Sequence, residues 1–199
     1  MFPIFGLINS KGEPMVIGFA GKARSGKDTA AKYLCDTFNC LHYSFAKPIK
    51  ESIKIMFQLT DEQERNKEVA IEPWGISPRK MYQRIGTEVG RSLDPNIWVK
   101  NAEIFTKKHP GRTVVISDVR FSNEAMWIRN RGGIVIQIVR DKALRIAEYQ
   151  HASEHGMDEK DYDFTIHNNG SVDELHHKLY SLTETNMNNI IAVYNYTCV

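Results

Sequence analysis

The run Gly21-Lys22-Ala23-Arg24-Ser25-Gly26-Lys27-Asp28-Thr29 carries the pattern G-x-x-x-x-G-K. Glycines at this spacing let the backbone wrap closely around an oxyanion, so that successive N–H groups point inward, Arg24 and Ser25 included. A helix opening at Gly26 adds the partial positive charge of its N-terminus, and Lys27 is placed to bridge the β- and γ-phosphates of a nucleoside triphosphate. The plain alternative is a Gly-rich turn that only joins a strand to a helix. Spacing and context together argue against it, because the apolar run 16–20 precedes the loop and a helical pattern follows it.

Magnesium usually takes a Ser or Thr hydroxyl directly after the lysine, but here that position holds Asp28. A carboxylate beside a polyphosphate is repelled unless a cation lies between them. Asp28 therefore either binds Mg²⁺, directly or through water, or only caps the helix, with Thr29 supplying the hydroxyl instead. A second acid stands at Asp118, where the apolar run Val114-Val-Ile-Ser ends. Such a carboxylate can hold water around Mg²⁺ or orient an acceptor, and Arg120, two residues on, can neutralise charge on a transferred phosphoryl group. An acid in that place can also be no more than a helix cap.

Arg79, Gln83, Thr87 and Arg91 recur at every fourth position, which on a helix places them along one drifting stripe, opposite Met81, Ile85 and Val89. Two guanidiniums, an amide and a hydroxyl suit a phosphate and a nucleobase edge, and Gly86 beside them allows close approach. A solvated outer face would read the same. Trp98 and Lys50 favour a site, since an aromatic plane and a further cation suit a nucleotide acceptor. Arg140, Lys142 and Arg145 are candidates to close over the triphosphate, and Asn168-Asn169-Gly170-Ser171 is a turn able to touch adenine at Asn169.

His151-Ala-Ser-Glu154-His155 matches H-x-x-E-H, so a zinc hydrolase using His151, Glu154 and His155 has to be weighed. Gly156 and Asp158 close behind make a poor frame for a rigid metal site, and the phosphate cradle would be left without a purpose. A nucleotide-binding regulator without turnover is a third class.

The elements that must position these groups are legible as β-type runs at 16–20, 41–45, 113–117, 134–139 and 164–167, separated by helical patterns. This is an α/β protein with a mostly parallel sheet. Ala30, Leu34 and Phe38 share one side of a helix after Gly26, as do Ile49, Ile53 and Phe57 after Pro48. Between 51 and 110 no strand is apparent, and Ser77-Pro78 and Asp94-Pro95 mark helix starts. The expected organisation is one domain over 15–199, with a helical insertion at 46–110, a lid at 141–162 and an N-terminal arm at 1–14.

With 199 residues, 42% hydrophobic and 25% charged, the chain is long enough for one well-filled core. A net charge of +2 gives no basic excess for long nucleic-acid tracts. The apolar run 2–8 is too short to span a bilayer. Cys35, Cys40 and Cys198 form no close metal-type array, so a reduced, cytoplasmic setting is expected.

From about residue 16 to 182 the chain resembles the bacteriophage-type deoxynucleoside monophosphate kinases. The matching segments are Gly21 to Thr29, Ala46-Lys-Pro-Ile-Lys50, Arg79 with Gln83-Arg-Ile-Gly-Thr87, Trp98-Val-Lys, Asp118-Val-Arg120 with Glu124, His151-Ala-Ser-Glu154, and Asn169-Gly-Ser. Phosphomevalonate kinases look similar in the cradle and in Asp-x-Arg, but do not obviously share the Gln83-to-Thr87 and Trp98 segments. The resemblance implies a three-layer, nucleoside monophosphate kinase-like P-loop fold, with ATP and Mg²⁺ as co-substrates and conversion of deoxynucleoside monophosphates to diphosphates. It implies an acceptor held by Lys50, Arg79, Gly86, Thr87, Trp98, Asp118, Arg120 and Glu124, and makes His151 and Glu154 part of the lid. A homodimer, and a host cytoplasm if the chain is phage-encoded, are further implications.

Overall fold

A computed structural model describes residues 7–9, 11–144 and 157–185. Five strands make one parallel sheet in the order β2-β3-β1-β4-β5, namely β1 (Val16–Ala20), β2 (Leu41–Tyr43), β3 (Val114–Val119), β4 (Ile134–Val139) and β5 (Phe164–His167). Strands covered on both faces lose the strict apolar–polar alternation, which is why every residue of β1 and every residue of β4 but Gln137 is apolar. Successive side chains point to opposite faces. Ile17 and Phe19 join a core with Ala30 and Leu34 of α1 (Lys27–Phe38) and Leu175 and Leu179 of α9 (Val172–Thr185). Gly18, on the other face, lies under Ile128 of α7 (Ser122–Arg129). Helices on both faces make a three-layer α/β fold, as the resemblance implies.

β2 is shorter than expected, ending at Tyr43, while β3 runs on past Ser117 to Val119. The extension has a local cause. Gly18 pairs with Ile116 but Ala20 pairs with Val119, so β3 carries one extra residue in a bulge around Ser117 and Asp118.

The chain divides into two compact units, one of Met1–Ser44 with Ile104–Val199, the other of Phe45–Glu103. In the second, Ile49 and Ile53 of α2 (Ala46–Phe57) pack with Leu59, Ile71 and Met81. α3 (Asp61–Arg65), without a sequence-based expectation, is started by a capping box in which Thr60 and Gln63 exchange side-chain and backbone bonds. α4 (Pro78–Gln83) starts at Ser77-Pro78 as the cap signal predicts, and continues through a π-helical segment (Arg84–Val89) into α5 (Gly90–Leu93). At Asp94-Pro95 the carboxylate instead closes a turn onto the Asn96 N–H, and α6 (Ile97–Lys108) begins two residues later than proline placement suggested. α8 (Asp141–Leu144) follows β4.

Residues 7 and 8 of the expected arm are not peripheral. Leu7 is buried, its carbonyl accepts from the Thr113 hydroxyl, and Ile8 bridges Pro14. No helix among the described residues is long and apolar enough to cross a membrane.

Candidate active site

In a parallel sheet all carboxyl ends share one edge, and the chain places chemistry-bearing residues after four of them. The cradle follows β1, Asp118 lies at the end of β3 with Arg120 just beyond the strand, Arg140 follows β4, and Asn168 and Asn169 follow β5. Ligands of open α/β sheets collect at that edge.

The cradle loop passes through three left-handed residues, Gly21 (φ 132°), Arg24 (φ 63°) and Gly26 (φ 108°). Gly26 cannot be replaced cheaply: besides its φ, a Cβ there would run into the Asn168 side chain. Asn168, itself buried, donates from Nδ2 to the Ser25 carbonyl at 2.8 Å, so the turn after β5 braces the back of the loop. Lys27 Nζ donates to the Lys22 carbonyl at 2.7 Å, folding the cation across the loop mouth. Ser25 Oγ is buried with no hydrogen-bond partner among the described residues. A buried hydroxyl without a partner is costly unless a ligand supplies one, and a phosphate oxygen would. Asp28 and Thr29 are both exposed in the first turn of α1, where carboxylate and hydroxyl remain available to a hydrated cation.

Asp118 sits at the β3 bulge and is only partly exposed. Its Oδ2 accepts from Ser44 Oγ at 2.7 Å, and one step back along the same strand pair His42 Nε2 and Ser117 Oγ bond at 2.9 Å. Glu124 is buried at 2% exposure, with Oε2 accepting from the backbone N–H of Arg120 (2.8 Å) and of Phe121 (3.2 Å). It ties Arg120 to the start of α7. Asn169 is exposed and exchanges bonds with Asp141, whose N–H donates to Oδ1 and whose Oδ2 accepts from Nδ2, both at 2.9 Å. Arg140 is half-buried.

In the second unit Arg79, Gln83, Thr87 and Arg91 are all half-buried, whereas Lys80, Arg84 and Glu88 form the exposed face. The stripe is therefore a flank of the helix and not its solvated side. Arg79 Nε bonds both oxygens of Glu68, at 2.7 and 2.8 Å, and Arg91 Nη1 donates to the Pro95 carbonyl at 3.0 Å. Lys50 is exposed on α2, Gly86 is buried, and Trp98 is half-buried with Nε1 donating to the Gly86 carbonyl at 2.7 Å. Val89, expected opposite the stripe on the apolar side, is 47% exposed. The π turn is the reason: i→i+5 bonding retards the phase, and Gly90 takes the buried place.

Arg145 and the His151-to-His155 motif lie outside the described residues. Among the described residues no group of three or more His, Cys, Asp or Glu is arranged to hold a metal ion.

Sequence reasoning missed Asn168 as the brace and Ser44 as the partner of Asp118. The Asn-Asn pair after the last strand pointed to the right turn but to the neighbouring residue, and Ser44 carried no signal of its own.

A family model described as "Deoxynucleotide monophosphate kinase" matches residues 15–74 and 60–179. A protein of Acanthamoeba polyphaga mimivirus named as a candidate deoxynucleotide monophosphate kinase is 36% identical, the match covering 85% of this chain and 96% of that one. The deoxynucleoside-5'-monophosphate kinase of Escherichia phage T5 is 28% identical over 73% of this chain and 86% of its own length. Among solved structures, TT1252 from Thermus thermophilus superposes with a TM-score of 0.51 at 14% identity, covering 87% of this chain and 98% of that one, a likeness of fold.

Proposed function

The chain belongs to the deoxynucleotide monophosphate kinase family, and on that premise we propose that it transfers the γ-phosphoryl group of ATP to the phosphate of a deoxynucleoside monophosphate, giving ADP and a deoxynucleoside diphosphate. The observation that carries the reading is the cradle: left-handed residues, a helix N-terminus, Lys27 and a buried, partnerless Ser25 hydroxyl, all at one loop.

An acceptor phosphate oxygen is already anionic at neutral pH, so no strong general base is required, and catalysis becomes positioning plus charge neutralisation. Lys27 exchanges the Lys22 carbonyl for phosphate oxygens when ATP enters. Arg120, fixed through its backbone by Glu124, neutralises charge on the transferred group, with Arg140 the candidate second cation. Mg²⁺, when bound, shields the phosphate charge, and Asp28 or Thr29 together with Asp118 would hold the ion or its waters. Ser44 keeps the Asp118 carboxylate in one orientation.

We assign acceptor binding to the unit Phe45–Glu103. Arg79 and Arg91 supply paired donors for the phosphate, Gln83 and Thr87 supply polar contacts to the nucleoside, and Lys50 adds a further cation.

A coupled ADP-release assay across dGMP, dTMP, dCMP, dAMP, their ribose counterparts and phosphomevalonate tests the proposal. ADP release that depends on at least one deoxynucleoside monophosphate is expected. Release with phosphomevalonate alone, or with none of these acceptors, would overturn it.

A further inference from the structure

We propose that Trp98 is a positioning residue that sets acceptor specificity by clamping the π-helical turn, and not a platform on which a base stacks. The proposal rests on the acceptor assignment above and specifies what controls that site.

Three observations converge on one edge of the indole ring. Nε1 donates to the Gly86 carbonyl at 2.7 Å. Next to Nε1 on the same edge, Cζ2 lies against Gly90, where an added Cβ would come within 2.5 Å of it. Between these two contact points the helix departs from α geometry, and the Gly90 N–H bonds the Ile85 carbonyl, five residues back. One aromatic edge thus spans the widened turn from Gly86 to Gly90, a donor at one end and a flat hydrocarbon surface at the other.

The clamp has a consequence for the stripe. Buried positions run Met81, Gly86, Gly90, a step of five and then four, where an uninterrupted α-helix would bury Met81, Ile85 and Val89. Gly90 is needed at the seam because the indole edge and the Ile85 carbonyl occupy the space a side chain would take, while at Gly86 that space is filled by Ile49 of α2. Thr87 lies within the widened turn and Arg91 just after it, while Arg79 and Gln83 precede it, so the turn fixes the angle between the two halves of the acceptor stripe. π turns are uncommon and concentrate at functional sites. Loss of the clamp lets the turn slip toward i→i+4 bonding and re-aims Thr87 and Arg91 relative to Gln83.

Two variants approach the contact from opposite sides. Trp98→Phe keeps an apolar ring and deletes the donor; Gly90→Ala keeps the donor and displaces the ring. For each, kcat and KM are measured with dGMP, dTMP, dCMP, dAMP and ATP, beside the melting temperature. We expect the acceptor KM to rise roughly tenfold or more and unevenly, changing the ranking of the four acceptors, while the KM for ATP stays within about twofold. Acceptor constants within about twofold of wild type in Trp98→Phe, or a uniform loss in both variants that only tracks a fall in melting temperature, would overturn the clamp. A wild-type enzyme inert toward all four acceptors would instead overturn the functional reading, and the specificity role with it.

Discussion

Lys27 and Arg120 are asked to do similar work from different neighbours. Lys27 is held by the Lys22 carbonyl, 2.7 Å away, and Arg120 by the backbone bond from its N–H to Glu124. Removing one transition-state donor typically costs roughly a hundred- to thousand-fold in rate. Lys27→Ala and Arg120→Ala are therefore expected to lose at least that much kcat while melting near the wild-type temperature, and turnover within about tenfold of wild type would remove the assigned role. Asn168→Ala should behave differently. It leaves the Ser25 carbonyl without its buried donor, so about 1–3 kcal/mol of stability is lost, and the loosened loop raises the KM for ATP more than that for the acceptor. Denaturant melts combined with a KM comparison check both parts. The cradle was legible because its chemistry is local, with glycines, lysine and helix start contiguous in the chain. Asn168 and Ser44 were not, since their partners lie 143 and 74 residues away and nothing in either residue's surroundings points to them.

At the scale of elements, the parallel sheet was legible in β-type runs alternating with helical patterns, and Ser77-Pro78 marked the start of α4. Two local irregularities escaped, and both sit where candidate site residues are. A period of four is shared by an α-helix and by a helix with one π turn, so polar spacing alone could not reveal the shift that exposes Val89 and buries Gly90. The bulge in β3 is a property of pairing with β1 and has no sequence mark in β3 by itself. The start of α7 carries its own prediction. Glu124 accepts two backbone N–H groups from a nearly fully buried position, so Glu124→Ala should lose about 1–3 kcal/mol and lower kcat by unfastening Arg120. Glu124→Gln, which retains an acceptor oxygen, should recover most of the stability. Equal losses in the two variants would mean that the hydrogen bonds to Oε2 are not what holds the turn.

On the scale of the whole molecule, Cys35 and Cys40 are free thiols among the described residues. Burial pushes Cys35 up to about 11 and Cys40 up to about 12 from an ordinary value of 9.0, so both are protonated at neutral pH. A thiol whose folded pKa is raised contributes stability that is complete below pH 9 and is lost as pH rises toward 11 and 12, because there the unfolded chain has released protons that the folded one retains. Unfolding free energy should thus fall along this alkaline limb, and Cys40→Ala should flatten the fall. An unchanged slope in the variant would show that Cys40 does not carry it.

Transfer of label from [γ-³²P]ATP to a deoxynucleoside monophosphate, followed by separation of the products, tests the whole account most directly. The prediction is that label appears in the deoxynucleoside diphosphate in step with ADP and disappears in Lys27→Ala. Label recovered only as inorganic phosphate, or undiminished transfer by Lys27→Ala, would contradict it.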